Sequence, residues 1–323
     1  LALLLLAACG DGTGPSVAVA RTPAAAVFVT DDADRYFRAY DAGGRSGSTT
    51  VFQTRYLDSA TVGLQDMVRS RSITAASLAQ VALAYPRYLD AVGAWWRSAG
   101  NQRAVFETVR ANYARLATLY PDAVFPPVTI LVGRYSTGGT IGNSGLLIGL
   151  EFFGVDAAAP TTELGVFARN NQKSWQRDLP TLIAHEHTHF LSSRAGSTAT
   201  RSGAPLLSVA LSEGIAEFIG ELASGQPTFL AFYREWQSRE LEFWQAFDRE
   251  KGGTDLSRWL YNQGQTAANW PGDLGYFMGY RIAQAYYAKA TDKAQAVREL
   301  IALRDPAALL TQSGYAGAGP PIQ

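Results

Sequence analysis

Apolar residues recur at threes and fours through most of the chain, and run together or alternate in only a few short stretches. From Asn101 to Tyr120 the recurrence of Val105, Val109, Tyr113, Leu116 and Leu119 predicts a helix, ended by Pro121, Pro126 and Pro127. Ser59–Val68 and Ala75–Ala99 carry the same period, the second interrupted at Pro86. Asp31–Tyr40 reads as a helix capped by Asp, Gly43–Thr50 as a loop, and Val51–Tyr56 fits either regular structure. Short apolar runs at Ala26–Thr30, Val128–Val132 and Leu146–Phe153 predict strands, with Gly138, Gly139, Gly142 and Gly145 making a loop before the last. Helical patterns dominate afterwards, at Leu179–Ser193, Pro205–Ser224, Pro227–Lys251, Gly275–Ala290 and Lys293–Leu303. The pattern is α+β and mostly helical, with a small sheet.

The start of the chain follows a different rule. Leu1 to Ala8 is apolar but far short of the about 20 residues that span a bilayer. It reads as the tail of a secretory signal. Leu6-Ala7-Ala8-Cys9 resembles the bacterial lipobox, which implies lipidation of Cys9 and an anchor in the cell envelope, outside the cytoplasm. The alternative is an ordinary cleaved signal followed by a chance cysteine. Cys9 is the only cysteine, so no internal disulfide can form. Residues 10–23, rich in Gly, Ser, Pro and Ala, read as a flexible tether. The expected organisation is a signal remnant (1–9), the tether (10–23), a mainly helical region (24–120) packed on the rest, and a principal functional domain (121–323).

Composition removes one class of partner. Hydrophobic residues make up 47% of the chain, enough for a sizeable core, while 28 basic and 28 acidic residues cancel. With no basic stripe and no aromatic-basic interleaving, a nucleic-acid partner has no support. The oligomeric state is not set by the sequence.

All three histidines lie within five residues, His185-Glu186-His187-Thr188-His189. The H-E-x-x-H spacing puts His185 and His189 on one helical face, one turn apart, where their nitrogens can hold a single zinc ion. Glu186 can then serve as base toward the attacking water. His187 points about 200° away from His185 and belongs to packing. A third protein ligand is needed, and no histidine remains for it. Downstream, Glu213 and Glu217 are four apart in Leu211-Ser212-Glu213-Gly214-Ile215-Ala216-Glu217-Phe218, again on one face of a predicted helix. Glu213 can complete the ligand set, and Glu217 can accept the second ring N–H of a ligating histidine and fix its tautomer.

The string from His185 through Glu217 resembles the gluzincins, zinc metallopeptidases with two histidines and a glutamate as ligands. It is most similar to the bacterial predicted zinc-dependent proteases related to the gliding-motility lipoprotein, over roughly residues 125–290. The resemblance implies a zincin-like, thermolysin-like domain with a small mixed sheet and active-site helices. It also implies one Zn2+ on His185, His189 and Glu213, Glu186 as general base, and Glu217 as its outer support. The 23 residues between His189 and Glu213 exceed the spacing in thermolysin or the aminopeptidases and include the small-residue loop Gly196–Gly203.

A negatively charged tetrahedral intermediate calls for a donor besides the metal. Tyr276 and Tyr280, one turn apart in Gly275-Tyr276-Phe277-Met278-Gly279-Tyr280-Arg281, are the candidates. The glycine-rich Gly138–Gly149 stretch is the natural edge for pairing a peptide substrate, and Trp270-Pro271-Gly272-Asp273 a loop that shapes the mouth. Glu151 and Glu163 are the acids available to capture a free amine, and nothing else marks them, which favours an endopeptidase over an aminopeptidase. The reading is zinc-dependent hydrolysis of peptides or proteins. Its alternatives are a zinc hydrolase acting on peptidoglycan peptides or another non-protein substrate, and a catalytically silent envelope interaction lipoprotein.

Overall fold

The computed structural model describes residues 17–262 and 269–322. The signal remnant, Cys9 and residues 10–16 of the expected tether lie outside the described residues. The described chain forms two compact units, one of residues 17–114 and 124–187, the other of 115–123, 188–262 and 269–322.

The first unit holds the sheet: β1 (Phe28–Val29), β2 (Val128–Leu131), β3 (Gly139–Gly142) and β4 (Gly145–Gly149), in the order β1-β2-β4-β3. β1, β2 and β4 run parallel, and β3 pairs antiparallel with β4 and forms the sheet edge. Every residue of β2 and β4 is buried, as expected of uninterrupted apolar runs in a covered sheet. The loop expected over Gly138–Gly145 is instead strand β3 and a tight hairpin. The reason is steric. A Cβ on Gly139 would stand 3.1 Å from Glu186 Oε1 and 3.2 Å from Leu182, so the glycine lets the strand run close against the helix carrying Glu186.

Around the sheet lie α1 (Asp31–Asp41), α2 (Thr49–Phe52), α3 (Val62–Arg71), α4 (Ala75–Ala84), α5 (Pro86–Trp96), α6 (Ala99–Leu119), α7 (Val166–Asn170) and α8 (Leu179–Arg194), with α6 and α8 continuing into the second unit. Pro86 sits in the first turn of α5, where a missing N–H costs nothing, so the expected interruption becomes a new helix start. Thr30, not an Asp, occupies the N-cap of α1. Asp66 of α3 accepts from Ser144 N at 2.7 Å, which ties the β3–β4 turn to that helix.

The second unit adds α9 (Leu206–Ser224), α10 (Leu230–Trp236), α11 (Glu240–Glu250), α12 (Leu274–Lys289), α13 (Lys293–Ala302) and α14 (Pro306–Ser313). The single helix expected over Pro227–Lys251 is two, separated by a 3-10 turn at Gln237–Arg239. α14 was not foreseen, although Asp305 caps it through Ala308 N and Pro306 opens it. α9 is apolar nearly all round and buried along its length, and ends at Gly225 in the left-handed conformation. It crosses α12 at unusually close range. A Cβ on Gly214 would lie 2.0 Å from Tyr280 N, and one on Gly279 1.8 Å from Ala210 O. Backbone thus touches backbone where the two glycines meet, and Glu213 is fixed beside that crossing. Among the described residues no helix is long and apolar enough to cross a membrane.

Candidate metal centre

α8 enters with Pro180 in its first turn, and Asp178 just before it accepts from Ser174 N at 2.7 Å. His185 and Glu186 are buried on this helix, and His189 is half-buried one turn on. His187 faces elsewhere, as its position on the helical wheel requires. Its Nε2 donates to Val124 O at 2.6 Å, and its ring packs on Tyr113 and Phe125 at centroid distances of 4.8 and 5.4 Å. Burial lowers the His187 pKa to about 4, so it is a neutral core histidine.

Glu213 projects from the middle of α9. Its Oε2 lies 3.2 Å from His189 Nε2, and its Oε1 accepts from the Tyr261 hydroxyl at 2.8 Å. Two donors on one tetrahedral zinc stand about 3.3 Å apart for bonds of about 2.05 Å, so the His189–Glu213 separation suits a shared ion. His185, His189 and Glu213 each offer a donor atom, and these atoms all lie within 4.8 Å of one another. Two imidazoles and one carboxylate are the donor types a catalytic zinc takes. The arrangement can hold a metal ion.

Tyr261 had no signal in the residue pattern. It stands at φ +59°, a left-handed conformation that costs a non-glycine residue on the order of 1 kcal/mol. A reciprocal clasp next to it holds the backbone there. Asn262 N donates to Asp273 Oδ1 at 3.0 Å, and Asp273 N to Asn262 Oδ1 at 2.7 Å.

The two candidate tyrosines have different surroundings. Tyr280 is buried, donates to Glu221 Oε2 at 2.9 Å, and packs on Phe218 and Phe229. Its hydroxyl is committed within the core of its own unit. Tyr276 lies edge-on to Tyr261, with ring centroids 6.1 Å apart. Burial first, and then the charge of Glu213, hold its pKa well above 10, so it remains a protonated donor. Glu217 is half-buried one turn beyond Glu213, and its charge acts on Tyr276, Tyr280 and Glu221.

Four further residues have structural partners. Glu151 is sealed in the sheet-bearing unit, accepting from Gly133 N at 2.9 Å and Tyr135 N at 3.2 Å. Glu163 pairs with Arg87 and accepts from Tyr88 N. Neither carboxylate is available to capture an amine. Trp270 packs edge-on against Trp259 and Phe243 with Arg258 over its face, and serves as a structural peg. Arg281, adjacent to Tyr280, is fully buried and paired with Glu240, which also accepts from Tyr315.

Residues 156–304 match a family model described as Predicted Zn-dependent protease (DUF2268). The matched stretch contains His185, Glu186, His189, Glu213, Glu217, Tyr261, Tyr276 and Tyr280. No curated protein and no solved structure is found to match the chain.

Proposed function

We propose that the protein is a zinc-dependent peptidase of the gluzincin type, with one ion held by His185, His189 and Glu213. The observation that carries this is the donor cluster itself, two imidazoles one turn apart on α8 facing a carboxylate of α9, with Glu186 between the histidines in sequence. The matching family description supports the same reading. The mixed sheet with an antiparallel edge strand against the H-E-x-x-H helix supports the zincin-like fold.

When bound, zinc polarises the scissile carbonyl and acidifies water. The remaining work falls to the chain. Glu186 accepts a proton from the attacking water as the new C–O bond forms, and passes it to the amine nitrogen as the C–N bond breaks. Tyr276, kept protonated by burial and by Glu213, donates to the carbonyl oxygen as negative charge develops. Tyr261 fixes the orientation of Glu213, and Glu217 supports a ligating histidine. The outer edge of β3, beside Glu186, offers backbone groups to an extended peptide, which favours an endopeptidase. The Leu6-Ala7-Ala8-Cys9 string supports a lipid anchor at Cys9 and a place on the bacterial cell envelope.

The test is E186Q. Cleavage of a diverse peptide library, read by mass spectrometry, falls by about 100- to 10,000-fold, the usual worth of a positioned general base. Bound zinc, read by elemental analysis, stays at the wild-type level. Equal cleavage by the variant would refute the role of Glu186.

A further inference from the structure

The chain's N-terminal half brings two arginines to the edge strand next to Glu186. Arg71 closes α3, and its Nη2 donates to Thr140 Oγ1 of β3 at 3.0 Å. Arg134 lies in the loop after β2, and its Nε donates to the backbone carbonyl of Arg71 at 2.8 Å. The two cations are near enough to act on each other, and Glu186 is near enough to act on Arg71. Burial, the largest influence, lowers the Arg71 pKa, which marks a cation already drawn partly out of water.

Arg71 is held firmly, and its charge is not consumed. Its Nε is buried with no hydrogen-bond acceptor among the described residues. Among those residues neither guanidinium closes an ion pair, whereas Arg35, Arg69, Arg87 and Arg281 all do. The charge of Glu186 acts on Arg71 without an ion pair closing between them, and a sealed donor without an acceptor is costly. Arg110, also part-buried and in no ion pair among the described residues, donates to a backbone carbonyl, whereas Arg71 alone among the described arginines keeps a buried nitrogen without an acceptor. An arginine that binds a ligand is left as Arg71 is, with Nη2 donating to Thr140, Nη1 taken up in no hydrogen bond among the described residues, and a second cation reinforcing the field. Arg134 gives up only its Nε, to a neutral carbonyl, and keeps its charge for that field.

We propose that Arg71, backed by Arg134, forms a carboxylate-binding subsite beside the scissile bond, so that the favoured substrates are peptides carrying an acidic group there. The inference rests on the peptidase reading. The group recognised is a carboxylate, from an Asp or Glu side chain or from a free peptide C-terminus. Arginine suits either, because its planar fork matches the two carboxylate oxygens. Residues 71, 134 and 140 all precede the stretch that matches the protease family, so this specificity belongs to the part of the chain that the match does not reach.

The experiment uses zinc-loaded protein and paired synthetic peptides. In one arm each position is varied between Glu and Gln. In the other each sequence carries a free C-terminal carboxylate or a carboxamide. The wild type cleaves the acidic member of a pair at least about 10-fold better by kcat/KM, the difference residing in KM, consistent with a charge-assisted hydrogen bond. The arm that responds identifies the source of the carboxylate. In R71Q the preference collapses to within about twofold, R71K retains part of it, and R134Q weakens it less than R71Q. Thermal unfolding checks that each variant is folded, and R134Q and R71K stand in should R71Q fail to fold. Peptide affinity for zinc-loaded E186Q, read by calorimetry, follows the same order. Cleavage abolished by E186Q but blind to acid in both arms, or an acid preference unchanged in the folded arginine variants, would overturn the subsite and leave the peptidase reading intact. A fall in kcat alone for all peptides in R71Q would assign Arg71 to carbonyl stabilisation and overturn the subsite. Cleavage that persists in E186Q would overturn the peptidase reading itself.

Discussion

Glu213 and Glu151 are both buried carboxylates, one in each compact unit, and their surroundings could hardly differ more. Glu151 accepts backbone N–H groups from Gly133 and Tyr135, and burial still raises its pKa to about 7. It is sealed into the sheet-bearing unit and does structural work as a largely protonated acid at mild acidity. Glu213 meets a tyrosine hydroxyl on one oxygen and a histidine nitrogen on the other. Its partners are side chains that can bind, orient or give way to a ligand. Burial alone therefore does not mark a functional carboxylate. The chemistry of the groups turned toward it does.

The largest effect is expected at Gly214, which sets where Glu213 stands. In G214A the added Cβ meets the α12 backbone, so the variant loses about 3 kcal/mol or more of stability in chemical denaturation, and its zinc content falls with it. Ordinary stability and zinc content would show that the α9–α12 crossing does not position the site. E213Q keeps the shape of the side chain and removes its charge. Zinc affinity should drop by about 100-fold or more, a greater loss than an outer support causes, while melting in the absence of metal changes little. An unchanged affinity would remove Glu213 from the ligand set.

Glu151 supplies the opposite kind of prediction. Its pKa is raised from 4.5 to about 7 on folding, so the folded state holds the proton more tightly than the unfolded state. Its contribution is therefore fully present below about pH 4.5 and is lost as pH rises through about 7, a change of about 3 kcal/mol. Denaturation of the metal-free wild type across that window should show the loss, and E151Q should flatten it. A slope that survives in E151Q assigns the titration to another group. The smallest effect is expected at Tyr261. Y261F removes only the hydroxyl that holds Glu213 and should weaken zinc binding about 10-fold, with kcat for the metal-saturated enzyme reduced modestly.

What could be read in the sequence depended on how local the determinant was. The H-E-x-x-H turn and the helix carrying Glu213 and Glu217 follow from spacing of three and four, and their helices stand close to where the apolar period predicts them. His187 was placed correctly by its angle on the helix. β3 was missed because glycines read as a loop when the reason for them, close approach to Glu186 and Leu182, comes from a helix some forty residues later. Tyr261 was missed because its place depends on a left-handed residue held by the Asn262–Asp273 clasp, which has no period. Arg71 was missed for the same kind of reason, since only the fold brings the end of α3 to Thr140. The preference for Tyr276 or Tyr280 could not be argued from a helix where both share a face. Their neighbours, Glu221 on α9 and Tyr261 before α12, separate them.

We propose one zinc ion on His185, His189 and Glu213. X-ray absorption at the zinc edge, on protein loaded with a single equivalent, reads that ligand set. The expected result is one ion per chain bound by two imidazole nitrogens and light oxygen donors, with the histidine signature and the tight binding lost together in H189A. Zinc bound with the same stoichiometry, affinity and spectrum in the H185A/H189A double variant would contradict it.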